Sequence, residues 1–326
     1  MWRRRAGLIA VHVAAAAWSA IIVAMAPTTG TITDCTRPSA AEITRRLAEA
    51  GDHWWHSIDL GHGIVTRGTK PKPLLDAEIR NLRLPELAGR SVLDVGAWDG
   101  ALSFEAERLG ARRVVALDHY VWSMDFGAQH VALQEAAANG TPLIPWEENP
   151  AVWDPVRLPG RTRFDLARWA LGSRVEPVVA DIITVDPRTL GSFDVTLFCG
   201  VLYHLADPIT GLRQLARLTT DLAVIETELI HVRGGQRRAL WHYVESDSLA
   251  NDPSNYWLPT RAGLAAALRD AGFASVEFLA PAADPSAPTG LGATTRTALR
   301  RAKRAVRSLR PPYPDNFRQV IHARKG

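Results

Sequence analysis

Cysteine is almost absent from the sequence, which contains only Cys35 and Cys199 among its 326 residues. Two cysteines so far apart form neither a disulfide framework nor the paired spacing of a metal site. The sequence therefore predicts no bound metal, and it favours a reducing compartment, the cytoplasm. Nothing in it indicates an oligomeric state.

The sequence also lacks a large excess of either charge. Its 38 lysines and arginines nearly balance its 34 aspartates and glutamates, and the net charge is +4. Hydrophobic residues make up 47% of the chain and charged residues 22%, as in ordinary globular proteins. A chain of this length predicts one large domain, or one domain with a cap.

One long apolar run lies near the N-terminus, at residues 6–26, directly after three arginines. It is long enough to cross a bilayer. It also resembles a signal peptide with a cleavage site at residues 24–26, although Pro27 argues against cleavage. We treat residues 1–33 as a segment that is anchor-like or signal-like, or that precedes the true start. Membrane association through residues 6–26 is therefore an alternative to a purely cytoplasmic protein.

The dinucleotide-binding fingerprint lacks one of its three glycines. Residues 92–100 read Val-Leu-Asp-Val-Gly-Ala-Trp-Asp-Gly, and nothing after them supplies the third glycine. This absence argues against a nicotinamide-dependent oxidoreductase. The apolar run, the glycine turn and the helical pattern that follows predict a buried strand, a tight turn and a helix.

The residues of this turn indicate the ligand that it binds. Gly96 lets the backbone approach a ligand closely, and the helix behind the turn presents free N–H groups. A phosphate-binding loop would favour cations, but here Asp94 and Asp99 add carboxylates. Such a site suits a ligand with a positive centre and free hydroxyls, such as S-adenosylmethionine. We expect cofactor contacts from Asp94, Gly96, Ala97, Asp99 and Gly100.

Two further strand ends extend this pocket. Residues 114–117 are apolar and end in Asp118, about 20 residues beyond the turn, where a Rossmann-like fold binds ribose hydroxyls with a carboxylate. His119 follows directly. Residues 175–180 predict the next strand, and Asp181 and Ile182 follow its end. We expect Asp118 and His119 to extend the cofactor pocket.

The remaining apolar runs complete a sheet. They lie at residues 193–199, 222–226, 274–279 and 319–323. Uninterrupted apolar runs are typical of parallel strands buried on both faces. With the three strands above, they predict an α/β fold with a Rossmann-like, doubly wound sheet of seven strands.

The parts outside the sheet predict the domain organisation. Helical patterns at residues 39–51 and 74–84 indicate a small N-terminal cap over residues 34–88, followed by the main domain at residues 89–326. The proline-rich stretch at residues 136–172 is an insertion in that domain. It is either a lid or acceptor-pocket wall, or a packed surface excursion.

Aromatic and polar side chains lie where ligands bind in such folds, on the carboxyl side of the sheet. The candidates for acceptor binding are Trp54, Trp241, Tyr243, Asn255 and Trp257. The alternative for Trp54 is a cap that packs through its aromatic residues. A basic segment at residues 296–310 is either a solvated amphipathic helix or a patch for RNA or another anion. Its cations are Arg296, Arg300, Arg301, Lys303, Arg304, Arg307 and Arg310.

Taken together, several of these residues resemble a family. The Asp94-Val95-Gly96 turn, Gly100, Asp118, Asp181 and the strand at residues 193–199 are similar to class I S-adenosylmethionine-dependent methyltransferases, over residues 89–279. This resemblance implies that Asp181 and Ile182 contact the cofactor by flanking its adenine.

A narrower resemblance is to the bacterial tRNA wobble-uridine methyltransferase and carboxymethyltransferase family. It rests on Gly-Val-Leu-Tyr-His at 200–204, Asp-Pro at 207–208, Glu-Thr at 226–227, Asn-Tyr-Trp-Leu-Pro at 255–259, Arg-Gln-Val at 318–320 and Ala-Arg-Lys at 323–325.

This second resemblance implies that Tyr203 and Arg318 contact the cofactor, as the positions that hold the extra carboxylate of carboxy-S-adenosylmethionine. The carboxymethyl-transferring members also use a lysine before the fold, and residues 51–54 contain none. Their turn reads Gly-Cys-Gly-Ser-Gly, whereas residues 96–100 read Gly-Ala-Trp-Asp-Gly. These departures favour ordinary S-adenosylmethionine and a divergent member of the family.

Methyl transfer to a hydroxyl needs a proton acceptor. His204 is the first candidate base, since it follows the fourth strand and histidine titrates near neutral pH. Its alternative role is a hydrogen-bonded residue at a helix entry. Glu226 is the second candidate and His242 the third. We therefore expect a methyltransferase that acts on a small molecule. The alternatives are a tRNA wobble-uridine enzyme and a non-catalytic protein that binds S-adenosylmethionine.

Overall fold

The computed structural model describes residues 37–51, 54–232, 235, 237–245, 249, 252, 254–280 and 315–326. The predicted N-terminal apolar segment and the arginine-rich segment at residues 296–310 lie outside these ranges. Within them, no helix has both the length and the apolar character needed to span a bilayer.

Eleven strands and eight α-helices are described here by their bounds. The strands are β1 (Trp54–His56), β2 (Gly68–Lys70), β3 (Ser91–Val95), β4 (Arg113–Asp118), β5 (Glu176–Val179), β6 (Phe193–Cys199), β7 (Thr219–His231), β8 (Trp241–Tyr243), β9 (Trp257–Pro259), β10 (Ser275–Phe278) and β11 (Asp315–Arg324). The helices are α1 (Ala40–Ala50), α2 (Lys72–Leu82), α3 (Ala101–Arg108), α4 (Phe126–Asn139), α5 (Thr162–Leu171), α6 (Pro187–Leu190), α7 (Pro208–Leu218) and α8 (Arg261–Asp270).

Seven strands form one mixed sheet in the order β10-β11-β7-β6-β3-β4-β5. The five strands from β3 to β7 run parallel, and β11 is antiparallel to both β7 and β10. The predicted seven-stranded Rossmann-like sheet is therefore confirmed. Because the five parallel strands share one direction, their carboxyl ends meet at one edge, where ligands bind in such folds.

The sheet is covered on both faces, which explains the uninterrupted apolar runs. Successive side chains of a strand point to opposite faces. Val92 accordingly packs in one core cluster and Leu93 in the other. Val114 and Val115 of β4 divide between the same two clusters. Every residue of β3 is buried, as the sequence pattern predicts for a central strand.

Capping residues set the helix bounds. Ser39 and Glu42 form a reciprocal capping box at the start of α1. Helix α2 begins before the predicted residue 74 and ends at Leu82, because Arg83 adopts a left-handed conformation with φ of 47°. Asp125 accepts the N–H of Ala128 at 3.0 Å and caps the start of α4.

A small separate core joins the predicted insertion at residues 136–172 to the chain before it. Met124, Trp146 and Val152 are buried against one another. The N–H of Asp125 donates to the carbonyl of Val152 at 2.7 Å, which joins the two ends of this core. Proline therefore divides the segment into short pieces without preventing it from packing.

Candidate active site

The turn after β3 is as tight as its glycines predict. Gly96 has a φ of 74°, and a Cβ added to it would lie 2.6 Å from Cγ2 of Val201. Its N–H donates to the carbonyl of Leu117 at 2.8 Å, so the turn is fixed to the end of β4. Only glycine combines this conformation with so close an approach. Gly100 (φ of 86°) precedes the first turn of α3.

Asp94 is a buried carboxyl beneath this turn, only 2% exposed. It accepts a hydrogen bond from the Ser103 hydroxyl at 2.6 Å. Burial raises the pKa of Asp94 to about 7, while the Ser103 hydrogen bond acts in the opposite direction. A cationic ligand would stabilise the ionised form of such a carboxyl.

Asp118 lies at the end of β4 and holds the neighbouring loops. One of its oxygens accepts the N–H of Trp98 at 2.9 Å, and the other accepts the N–H of Val121 at 3.0 Å. Burial raises the pKa of Asp118, and the Trp98 N–H opposes this shift. A carboxylate oxygen has a second lone pair, so each can still accept a hydroxyl.

Beside Asp118, His119 meets the ring of Trp153 edge-on, with centroids 5.5 Å apart. On the next strand end, Asp181 accepts the N–H of Ile183 at 2.9 Å, and Ile182 is buried. Gly96 allows a close approach, Asp94 and Asp118 are buried acids, and Ile182 is buried and apolar. Together these residues fit S-adenosylmethionine, which carries a cation, a ribose and an adenine.

Asp99 is predicted to contact the cofactor, but its carboxylate is bound by residues of β1. It is fully buried, and one oxygen accepts the N–H groups of Trp55 at 3.1 Å and His56 at 2.8 Å. The other lies 2.6 Å from Nδ1 of His56. All of these partners belong to β1, more than forty residues earlier. The carboxylate therefore fastens β1 to the turn.

Trp98 extends the connection between the turn and its neighbours. Its ring stacks on Trp55 with centroids 4.7 Å apart and on Phe126 at the start of α4 with centroids 5.9 Å apart. Trp54, the predicted acceptor contact, is instead 3% exposed and packs in the main core. Trp54 and Trp55 point to opposite faces of β1, because adjacent side chains of a strand alternate. The aromatic contact beside the site therefore belongs to Trp55.

At the other end of the site, Arg318 binds three side chains. Its Nη1 lies 2.8 Å from Glu226 and its Nε 3.0 Å from Glu228, and its Nη2 donates to the Tyr203 hydroxyl at 2.8 Å. Burial raises the pKa of Glu226, and Arg318 counteracts this shift. Because the Glu226 carboxylate is held by Arg318, it is a poor candidate for the proton acceptor.

His204 lies in the short helical turn Leu202–His204 that follows β6. Its Nδ1 is 2.9 Å from Oγ of Ser254 and 3.2 Å from the Ser254 carbonyl oxygen. The Ser254 hydroxyl donates to Asp252 at 2.6 Å. Burial lowers the pKa of His204, and Asp252 opposes that shift. The ring is therefore neutral at pH 7.

The remaining acceptor candidates lie in or beside a separate ribbon, in which β8 pairs with β9. Tyr243 is half-exposed and meets the ring of Trp257 at 5.1 Å, and His242 lies opposite Leu258. Trp241 packs instead against one of the two sheet cores. Asn255 is 4% exposed and donates to the carbonyl of Leu249 at 3.0 Å, so it supports the loop before β9.

Sequence reasoning missed the residues that connect the insertion to this region. Tyr120 donates to Glu147 at 3.2 Å and packs on Trp153 at 4.8 Å. Burial raises the pKa of Tyr256 to about 12, and the nearby carboxylates of Glu147 and Asp252 add to this shift. The insertion and the loop before β9 therefore face a common acidic region. No local pattern marks these residues, because their partners are distant in sequence.

Lys70 of β2 was also missed. Its Nζ pairs with Glu78 at 2.7 Å and lies 5.7 Å from the ring centre of Trp55. It also helps to keep the pKa of Glu226 from rising further. The cap therefore places a lysine beside the site, although residues 51–54 contain none. In the described ranges, no group of three or more histidine, cysteine, aspartate or glutamate residues is arranged to hold a metal ion.

Comparisons with known proteins match this chain to methyltransferases. A family model described as a methyltransferase domain matches residues 71–277. A tRNA U34 carboxymethyltransferase of Edwardsiella ictaluri is 23% identical over 250 residues, which are 74% of this chain and 64% of that protein. This chain thus matches less than two thirds of that relative. A ribosomal protein L11 methyltransferase of Sorangium cellulosum is 42% identical over 66 residues, 20% of this chain and 19% of that one.

Among solved structures, the N-terminal domain of EvdMO1, crystallised in the presence of S-adenosylhomocysteine and D-fucose, has a TM-score of 0.55 at 19% identity. The match covers 90% of this chain and all of that domain. At this identity the likeness shows a shared fold. The family match covers more than half of the chain and confirms the predicted resemblance.

Proposed function

The chain belongs to the methyltransferase domain family and is an S-adenosylmethionine-dependent methyltransferase, and we propose that it methylates a hydroxyl group of a small-molecule acceptor. When bound, S-adenosylmethionine supplies a methyl group on a positively charged sulfur, which a nucleophile takes by in-line displacement. The protein contributes position, electrostatics and a proton acceptor.

Four features would hold the cofactor. Gly96 allows close contact with its methionine portion, and Asp94 supplies a carboxylate beneath its positive charge. Asp118 would accept the ribose hydroxyls through the lone pairs that the backbone N–H groups leave free. Asp181 and Ile182 would flank the adenine.

His204 is the proposed general base, and its hydrogen-bonding state is the observation that carries the proposal. Its Nδ1 is engaged by Ser254, whereas Nε2 has no partner within the described part of the chain. The lowered pKa keeps the ring neutral near pH 7, so Nε2 has a free lone pair for a hydroxyl proton. The competing candidate Glu226 is neutralised by Arg318.

Charge near the site favours a small molecule over RNA. Glu147 and Asp252 both act on Tyr120 and Tyr256, so two carboxylates lie on the acceptor side. Such charge repels a phosphate backbone, which RNA-binding proteins contact with cations. The likeness to a domain studied with D-fucose supports a polyhydroxylated acceptor. The tRNA alternative rests on the 23% identical relative.

Ordinary S-adenosylmethionine is the proposed donor. Arg318, which the family resemblance associates with the extra carboxylate of carboxy-S-adenosylmethionine, already binds two carboxylates of its own chain, Glu226 and Glu228. A third carboxylate would have to displace one of them.

Methyl transfer from isotopically labelled S-adenosylmethionine tests the proposal. The acceptors would be a panel of monosaccharides and phenols on one side and unmodified tRNA on the other, with Asp118→Ala as the binding-deficient control. We expect transfer to a small hydroxylated acceptor and none to tRNA. Transfer to tRNA alone would refute the acceptor class. Cofactor binding without transfer to any acceptor would favour the non-catalytic alternative.

A further inference from the structure

The hydrogen bonds around His204 have only one consistent set of directions. Asp252 can only accept, and its oxygen lies 2.6 Å from the Ser254 hydroxyl, so the single hydroxyl proton points to Asp252. Toward His204, Oγ of Ser254 is then only an acceptor. The Ser254 carbonyl oxygen, 3.2 Å from the same ring nitrogen, is an acceptor as well. Nδ1 of His204 must therefore carry the proton.

The consequence concerns the opposite nitrogen. A neutral imidazole has one proton, so a proton on Nδ1 leaves Nε2 with its lone pair. The charged and titratable groups that act on the ring are Asp252, Arg318 and the neighbouring Tyr203, whose ring lies 4.3 Å away. Burial keeps the ring neutral, so the tautomer decides whether Nε2 can accept a proton.

We propose that Ser254 and Asp252 are positioning residues, which hold His204 in the tautomer whose Nε2 accepts the proton of the acceptor hydroxyl. This inference rests on the proposed function of His204. In the step concerned, the hydroxyl proton passes to Nε2, the hydroxyl oxygen bonds to the methyl carbon, and the carbon–sulfur bonding pair stays on sulfur. Ser254 and Asp252 lose and gain no atoms.

The surroundings suit a positioning role. Ser254 is 6% exposed. Asp252 accepts both the hydroxyl and the N–H of Ser254, at 2.6 Å and 2.9 Å. Both bonds keep the serine hydroxyl proton turned away from His204. The resulting order, histidine to hydroxyl to carboxylate, resembles in logic an acid that orients a catalytic histidine.

Asp252→Ala is the sharpest variant. It removes the oxygen that accepts both the hydroxyl and the N–H of Ser254, which frees the hydroxyl to donate to Nδ1 and moves the ring proton to Nε2. We expect kcat to fall at least about tenfold, but by less than the ~10²–10⁴-fold loss expected when a general base is removed. The dissociation constant for S-adenosylmethionine should not change.

Three further variants serve as comparisons. Ser254→Ala removes the hydroxyl but keeps the carbonyl acceptor, so its loss should be smaller, and Ser254→Thr should restore kcat. Asp186→Ala is the matched control, because Asp186 likewise accepts the N–H of the second residue after it, at 2.9 Å, in the cap of helix α6. It should leave kcat unchanged. Thermal melting of each variant separates folding defects from loss of positioning.

Nitrogen-15 NMR of the histidine ring reads the tautomer directly, without acceptor or turnover. The His204 signals are identified by their absence in His204→Gln. We expect an Nδ1–H tautomer in the wild-type protein and a shift toward Nε2–H in Asp252→Ala. An Nε2–H tautomer in the wild type, or identical spectra and kcat in both proteins, would overturn the proposal. If the tautomer is as expected but His204→Gln is fully active, then His204 is not the general base. In that case the proposed function fails, although the positioning of the ring is correct.

Discussion

Nδ1 of His56 lies 2.6 Å from a carboxylate oxygen of Asp99, and the second oxygen accepts two backbone N–H groups of β1. The cofactor turn is thereby fastened to a strand that precedes it by more than forty residues. Trp55 of β1 also stacks on Trp98 of the turn. Hydrogen bonds and aromatic stacking therefore both connect β1 to the turn.

Asp99→Ala should consequently destabilise the protein. The change leaves two buried N–H groups and a histidine without their acceptor, at about 1–3 kcal/mol for each unsatisfied group. We expect urea unfolding to show a loss of about 2–4 kcal/mol, and Asp99→Asn, which keeps one acceptor oxygen, to lose less. If instead Asp99→Ala kept its stability but lost cofactor affinity, the residue would belong to the cofactor pocket.

Asp94 should link cofactor binding to pH. Its pKa is raised to about 7 by burial, so the carboxyl is protonated at lower pH in the free protein. A cationic cofactor favours the ionised form, and binding below pH 7 must release a proton. We expect the affinity for S-adenosylmethionine to fall as the pH drops from 8 to 6. Calorimetry in buffers of different ionisation enthalpy measures the released proton. Asp94→Asn should bind more weakly at pH 8 and show a flatter profile.

Asp94 should also lower the free energy of unfolding of the cofactor-free protein. A carboxyl whose folded pKa lies above its ordinary value destabilises the fold as pH rises between the two values, from about 4 to about 7. Asp94→Asn removes this cost, since its amide oxygen can still accept from Ser103. At pH 8 the cofactor-free variant should therefore be more stable than the wild type by about 1–3 kcal/mol, a gain that vanishes near pH 4. An equal or lower stability at pH 8 would show that the carboxyl is not buried in its charged state.

Much of the fold was predictable because its signals are local. The apolar runs of β3, β4 and β6 lie within single short segments, and the capping residue Ser39 lies next to the helix that it starts. The glycines of the turn are likewise read from their immediate neighbours. Such features do not depend on which distant segment packs against them.

The site was only partly predictable because its decisive contacts join distant segments. Ser254 lies fifty residues from His204, and no spacing rule connects them. Strand β1 is only three residues long, too short for alternation to tell whether Trp54 or Trp55 faces the core. The role of Asp99 likewise depends on a partner in the cap.

His204→Ala tests the proposed base. The variant should lower kcat by about 10²–10⁴-fold, because no other group takes the proton, while its affinity for S-adenosylmethionine stays close to that of the wild type. Asp118→Ala should show the reverse, with weak cofactor binding as its main defect. Unchanged turnover in His204→Ala would remove this residue from the chemistry. Glu226→Gln is expected to change kcat much less than His204→Ala.

Arg318 provides the test of donor choice. Its guanidinium binds Glu226 and Glu228 of its own chain, and Glu228 is the partner that lies farther from the end of β6. Glu228→Gln removes one of the two negative charges and should leave Arg318 free to pair with a carboxylate on the ligand. We expect the variant to bind carboxy-S-adenosylmethionine more tightly than the wild type, by about two- to fivefold, since a partly exposed ion pair contributes about 0.5–1 kcal/mol. Binding of ordinary S-adenosylmethionine should change little. Glu277→Gln on the edge strand β10 is the control for a lost surface charge and should alter neither affinity. If the wild type already binds the carboxylated cofactor more tightly than the ordinary one, then Glu226 and Glu228 do not neutralise Arg318 toward ligands, and the proposed donor is wrong.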